Sequence, residues 1–207
     1  MQKEDKNLWI LTEERPKREV IANIIFKFAC DQKFACFIDS IRILPILEED
    51  RFTFLYEVVG FTCNKINSVF LKSVSGFSSF VDFLVFYQKE QPTQKDRPLY
   101  AIEETKTDDN ESRNTGVYQR ASKFVFLENY YPNIKKIMLY NLKIKQKEQP
   151  TATYIFGTKL LKTIGVEILG KKIDKKKFTP FKSVDKIIAF KEKMRCAPRG
   201  NVPILIN

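Results

Sequence analysis

At 207 residues the chain is long enough for one good-sized domain with a full core, or for a core domain with an appendage. Its hydrophobic content of 43% and its 18 Phe fit a packed globule, and no apolar run approaches the ~20 residues that cross a bilayer. Histidine is absent, which removes Ser-His-Asp and Cys-His catalysis, His-ligated zinc and every nuclease chemistry that uses histidine as base or nucleophile.

Cys30, Cys36, Cys63 and Cys196 have neither zinc-knuckle nor thioredoxin-like C-x-x-C spacing and read as reduced core or near-surface thiols. The start, MQKEDKNLWIL, lacks the apolar stretch of a signal peptide, so a cytoplasmic protein without membrane contact is expected. The net charge of +11 is uneven: residues 1–110 carry 15 Lys and Arg against 18 Asp and Glu, whereas residues 111–207 carry 21 against 7. The basic half is the expected polyanion face, drawn to nucleic acid through phosphate contacts and counterion release.

In chain order, Thr12 to Pro16 offers a threonine cap, first-turn acids and a proline, and Val20, Ile21, Ile24, Ile25 and Phe28 keep helical spacing. An amphipathic helix packed on a sheet is predicted there. Cys36 to Leu47 is apolar but aperiodic and receives no assignment. Phe52 to Phe61, Val69 to Val74, Phe80 to Tyr87 and Leu99 to Thr105 read as successive strands.

Thr107 to Arg113 reads as a loop, and Asn114 or Thr115 caps a helix running to about Tyr130. On that helix Val117, Ala121, Phe124 and Glu128 share one face, and Gln119 and Lys123 another. Ile134 to Tyr140 is a further strand, Thr158 to Ile164 a short helix, and Val166 to Leu169 a short strand closed by Gly170. A lysine-rich loop over Lys171 to Lys177 leads to a helix capped by Ser183, with Ile187, Phe190 and Met194 on one stripe. The final run, Val202 to Asn207, is strand-like.

Chemistry concentrates in two neighbouring runs. Asp82 interrupts an apolar strand, where a charge is costly unless paired or bound to metal. Glu104 and Lys106 are two apart on the next strand and so share a face. Two carboxylates and an amine that converge can bind a divalent metal and hold a water beside the lysine, which suits phosphodiester cleavage. A second Glu-x-Lys, Glu4 to Lys6, lies at the terminus. The plainer alternative makes Glu103, Glu104 and Lys106 the solvated end of a hairpin and Asp82 a lone strand acid.

The pattern resembles the PD-(D/E)xK nuclease superfamily over roughly residues 15–141, with Asp82 in Ser79-Phe80-Val81-Asp82-Phe83 and Glu104 and Lys106 in Ile102-Glu103-Glu104-Thr105-Lys106. In that family a helix leads into a meander whose second and third strands carry the Asp and the Glu-x-Lys, followed by a helix and a strand. Glu104 to Asp109, followed by Asn114 to Arg120, looks most like type II restriction endonucleases. No proline precedes Asp82, and Lys123 stands four residues after Gln119 where the exonuclease-like subgroup has Tyr.

The resemblance implies an α/β fold, with a central mixed β-sheet of about five strands flanked by helices. It implies a nuclease core over residues 1–150 and a basic C-terminal α+β extension over 151–207, packed on the core and touching DNA. It further implies that Asp82, Glu104 and the backbone carbonyl of Thr105 hold Mg²⁺, for which Mn²⁺ can substitute. Lys106 then orients or deprotonates the attacking water, and Gln119 positions water or phosphate. Glu57 and Glu19 are further candidate metal acids; Glu57 reads equally well as an exposed strand charge, and Glu19 reads better as a charge on a solvated helix face.

Lys123, Lys171, Lys172, Lys175, Lys176, Lys177, Lys182 and Arg199 are candidate phosphate contacts, and Arg113, Asn114, Arg195, Arg199 and Asn201 candidate base readers. The expected partner is double-stranded DNA, cut by a homodimer if the target is a palindrome. Two alternatives stand beside a restriction-type endonuclease: a structure-specific repair or recombination nuclease of the same superfamily, and a non-catalytic nucleic-acid-binding module.

Overall fold

The structure, a computed structural model, describes residues 6–47, 54–74, 81–105, 116–140, 152–170 and 178–196, with backbone alone at 105, 116–118 and 196. Twelve elements follow one another among these residues: β1 (Lys6–Thr12), α1 (Arg18–Gln32), β2 (Cys36–Pro45), β3 (Leu55–Cys63), β4 (Ile66–Ser73), β5 (Phe83–Gln88), β6 (Tyr100–Thr105), α2 (Gly116–Tyr130), β7 (Lys135–Tyr140), α3 (Ala152–Thr163), β8 (Glu167–Leu169) and α4 (Val184–Cys196). The fold is α/β, with a mixed sheet in the order β2-β3-β4-β1-β5-β6-β7-β8. It therefore has eight strands where about five were expected. The chain divides into two compact units, residues 1–101 and 102–207.

In the first unit, β1 pairs in parallel with β4 and antiparallel with β5, bringing Ile10 opposite both Leu71 and Val85. Its short run Leu8-Trp9-Ile10 is buried on both sides, as a central strand requires. Alternation separates the two faces. Leu8, Ile10, Val69, Leu71 and Val85 are wholly buried on one. Helix α1 covers that face through Val20, Ile21, Ile24, Ile25, Phe28 and Ala29, and the Phe28 ring lies 5.1 Å from Tyr87 and 5.8 Å from Tyr100. On the other face Trp9 stacks on Phe70 at 4.5 Å and packs with Leu55 and Phe86.

Thr12 does not cap α1. It ends β1, and its hydroxyl donates to the Glu14 carbonyl at 2.8 Å. Lys17 is the residue before the helix and caps it with no side-chain bond. At the other end Lys33 turns left-handed (φ 57°), and Phe34 N–H donates to the Ala29 carbonyl at 2.8 Å, closing the helix without a glycine. Asp31, in the last turn, accepts from Tyr100 Oη and Lys27 Nζ, both at 2.7 Å, and so ties α1 to the start of β6.

The aperiodic stretch at Cys36 to Leu47 contains β2. Phe37 and Asp39 are exposed in its first half, whereas Ser40, Arg42 and Leu44 are exposed and Ile41 and Ile43 buried in its second. The phase changes where the pairing with β3 shifts register, between Ile38 and Arg42. Two extra residues are accommodated there, since Ile38 faces Phe61 but Arg42 faces Val59. Gly60 lies opposite the bulge with φ +91°, and a Cβ on it would come within 1.8 Å of the Ser40 carbonyl oxygen.

In the second unit, β7 and β8 are parallel, with Met138 opposite Ile168, and α3 crosses between them. Phe124, Ile137, Met138 and Leu161 are wholly buried. On α2 the apolar stripe is Ala121, Phe124 and Leu127; Glu128, expected to share that face, instead accepts from Lys136 Nζ (2.7 Å) and from the N–H of left-handed Asn133 (3.1 Å). Helix α3 begins at Ala152, earlier than its expected start at Thr158.

Helix α4 follows its expected stripe, with Ile187, Phe190 and Met194 partly buried and the rest of its described side chains exposed. The Ser183 hydroxyl accepts from Lys186 N–H at 3.4 Å. Phe156, Phe181 and Phe190 form a triangle of rings 5.6–5.7 Å apart that seats α4 on α3. No helix among the described residues is long and apolar enough to cross a membrane. The expected loops at Thr107 to Arg113 and Lys171 to Lys177 and the terminal run from Val202 lie outside the described residues.

Two predictions concern stability. Gly60→Ala forces a left-handed side chain into backbone and is expected to cost about 2 kcal/mol or more, read as a lower denaturant midpoint at unchanged slope. The Lys136 hydrogen bond, then that of Asn133 N–H, hold the Glu128 carboxyl below its ordinary value of 4.5. A depressed carboxyl stabilises the fold above its unfolded value and ceases to do so as pH falls through the folded one. Glu128→Gln is therefore expected to lower the melting temperature at pH 7, with a gap to the parent chain that narrows below about pH 4.5.

Candidate active site

Glu103 and Glu104 are consecutive on β6, so their side chains leave opposite faces of the strand. Both are buried, Glu103 at 2% and Glu104 at 7% exposure. Burying a carboxylate costs several kcal/mol unless charge and hydrogen bonds replace its water. For Glu103 the replacement comes from α2. Lys123 Nζ donates to Oε1 at 2.8 Å, and Arg120 Nε stands 3.8 Å from Oε2.

Arg120 and Lys123 are three apart on α2, and that spacing points both at one strand position. The Arg120-x-x-Lys123 pattern facing a buried Glu was the available signal for this ion pair, and sequence reasoning missed it. Lys123, an expected DNA contact, is engaged by Glu103 and keeps 38% of its side chain exposed. Of the two acids, Glu103 thus carries the helix contact and Glu104 lies on the other face.

The remaining expected residues are placed as follows. Asp82 is half-buried in a bend just before β5, not within the strand as its sequence setting suggested. Lys106 and the Thr105 side chain lie outside the described residues. Gln119 is exposed in the first turn of α2, next to Arg120, with its carbonyl accepting from Ser122 Oγ at 2.7 Å.

Glu57 sits on β3 with Ser68 Oγ at 3.4 Å from its carboxylate. Three strand spacings separate β3 from β5 within the first unit, about 14 Å at ~4.8 Å each, so Glu57 does not share a cation with Asp82. Glu19 is exposed in the first turn of α1, where an acid favours the helix dipole. Lys182 and Arg195 are exposed; Arg113, Asn114, Lys171, Lys172, Lys175, Lys176, Lys177 and Arg199 lie outside the described residues.

Among the described residues no three Cys, Asp or Glu side chains gather closely enough to hold a metal by themselves. Asp82 and Glu104 each carry hard carboxylate oxygens of the kind Mg²⁺ takes, a metal that draws the rest of its ligands from carbonyls and waters. Comparison with protein-family models, with curated proteins and with solved structures finds no match.

The ion pair is testable on its own. A double-mutant cycle over Glu103→Gln and Lys123→Met is expected to give a coupling of about 1–2 kcal/mol by denaturant unfolding, above the value for an exposed pair. Coupling below about 0.3 kcal/mol contradicts a helix held by this contact.

Proposed function

We propose that the chain is a Mg²⁺-dependent endodeoxyribonuclease of type II restriction type, hydrolysing phosphodiester bonds of double-stranded DNA by a metal-activated water. The observation that carries this reading is the partition of the two acids on β6. Glu103 is neutralised by Lys123 and Arg120, while Glu104, 7% exposed, lies on the opposite face two residues before Lys106. A buried strand acid ahead of a lysine is what the Glu-x-Lys of the resembled nucleases calls for. Further support comes from the chain order of β5, β6, α2 and β7, and from the excess of 21 basic over 7 acidic residues after residue 110.

In this reading Asp82, Glu104 and the Thr105 carbonyl hold the metal. When bound, Mg²⁺ supplies a Lewis acid for the scissile phosphate and acidifies a water. Lys106 orients or deprotonates the attacking water and offsets negative charge developing at phosphorus. Glu103, turned to α2, keeps the strand in register with the helix and touches no substrate. Exposed Lys182 contributes a phosphate contact that positions duplex without reading it, and exposed Arg195 is the described candidate for reading a base edge. A homodimer matches the symmetry of a palindromic target.

Incubation of supercoiled plasmid and linear duplex with Mg²⁺ is expected to give discrete fragments. Asp82→Ala, Glu104→Gln and Lys106→Ala are each expected to slow cleavage by about a hundredfold or more. No cleavage across salts and divalent metals, or cleavage by all three variants at the rate of the parent chain, overturns the proposal. Cleavage of branched DNA with plain duplex left intact turns it toward a structure-specific nuclease of the same chemistry.

A further inference from the structure

Three thiols meet in the first unit, at residues that the cleavage reading does not use. Cys36 opens β2 and Cys63 closes β3, and the two are direct partners in the antiparallel ladder. Directly opposed residues in such a ladder have Cα atoms about 4.5–5.5 Å apart, inside the range of about 4.4–6.8 Å that a disulfide spans. Their side chains are hydrogen-bonded to one another, and Cys30, in the last turns of α1, is close enough to act on Cys36 electrostatically. The pair is reachable from solvent, since Cys36 and Cys63 are both partly exposed and Cys30 is exposed. Beyond it the Asn64 N–H donates to the Ala35 carbonyl at 3.1 Å and fixes the end of the ladder.

We infer that Cys36 and Cys63 form a dithiol site that low-molecular-weight disulfides oxidise to a cross-strand disulfide. Burial first, then the neighbouring Cys63 thiol, pushes the Cys36 thiol up to about 11, so Cys36 is neutral at pH 7 and enters second. The Cys63 thiolate attacks one sulfur of the small disulfide RSSR, forming Cys63–S–SR and releasing RS⁻. The Cys36 sulfur then attacks the Cys63 sulfur; the Cys36–Cys63 bond forms, the bond to SR breaks, and the proton of Cys36 leaves with the second RSH. One RSSR is reduced to two RSH as two protein thiols become one disulfide.

The new bond joins β2 to β3 around a loop of 26 intervening residues that includes the Gly60 bulge. Closing a loop of this length in the unfolded chain is expected to raise the melting temperature by about 5–10 °C.

The test uses the full chain incubated with oxidised glutathione at pH 8, then alkylated and digested for mass spectrometry. The expected result is a peptide pair linked through Cys36 and Cys63, with two of the four thiols still titrating in denaturant and the melting temperature raised. Cys30→Ser is expected to leave the linkage in place, whereas Cys36→Ser is expected to stop at a glutathione adduct on Cys63. Four free thiols after incubation, a linkage through Cys30 or Cys196, or mixed disulfides alone on the parent chain overturns the inference.

Discussion

Strand β1 is the constraint on which the first unit is built. A strand that pairs in parallel with β4 on one side and antiparallel with β5 on the other has no free edge, and its residues must be apolar toward both faces. Leu8, Trp9 and Ile10 meet that demand with three consecutive buried side chains. Parallel pairing with β4 in turn requires a long return path, which α1, β2 and β3 provide. Because α1 follows β1 at once, it lands on the Leu8 and Ile10 face, and its Phe28 gathers Tyr87 and Tyr100 from strands distant in sequence.

This organising strand was the least legible element. Four apolar residues behind a charged terminus carry no period, and the Thr12 to Pro16 signals that follow drew attention to the helix instead. Where one face meets solvent or a single neighbour, the sequence spoke plainly: the stripes of α1 and α4 are at the expected positions. Strand β2 was hidden for a different reason, because its exposed positions change phase at the bulge and neither half is long enough to show alternation alone. Boundaries of β5 and α3 moved by a few residues, and Asp82 thereby left its strand.

At the candidate site the two acids of β6 were legible as residues and as opposite-facing neighbours. What sequence could not supply was the partner of each. The ion pair of Glu103 depends on where α2 sets down, a tertiary fact that fixes the Lys123 ammonium to the strand while over a third of its side chain stays exposed. Gln119 shows the converse: its assignment to the Lys123 side of the helix was sound as periodicity, yet one position of rotation leaves it in solvent while Arg120 turns inward. Glu57 was legible as a strand acid, but its distance from Asp82 depends on the insertion of β1 between β4 and β5.

The bulge opposite Gly60 has a consequence for association between molecules. Strand β2 ends the strand order, so one row of its backbone N–H and C=O groups has no neighbouring strand among the described residues. A flat edge of ten residues would offer a template for another chain to extend the sheet. Two extra residues kink this one, Asp39 and Arg42 place opposite charges beside the kink, and Pro45 at its end lacks the N–H that a further rung would need. The irregularity that conceals β2 from its own sequence pattern also makes it a poor docking rail for a foreign strand.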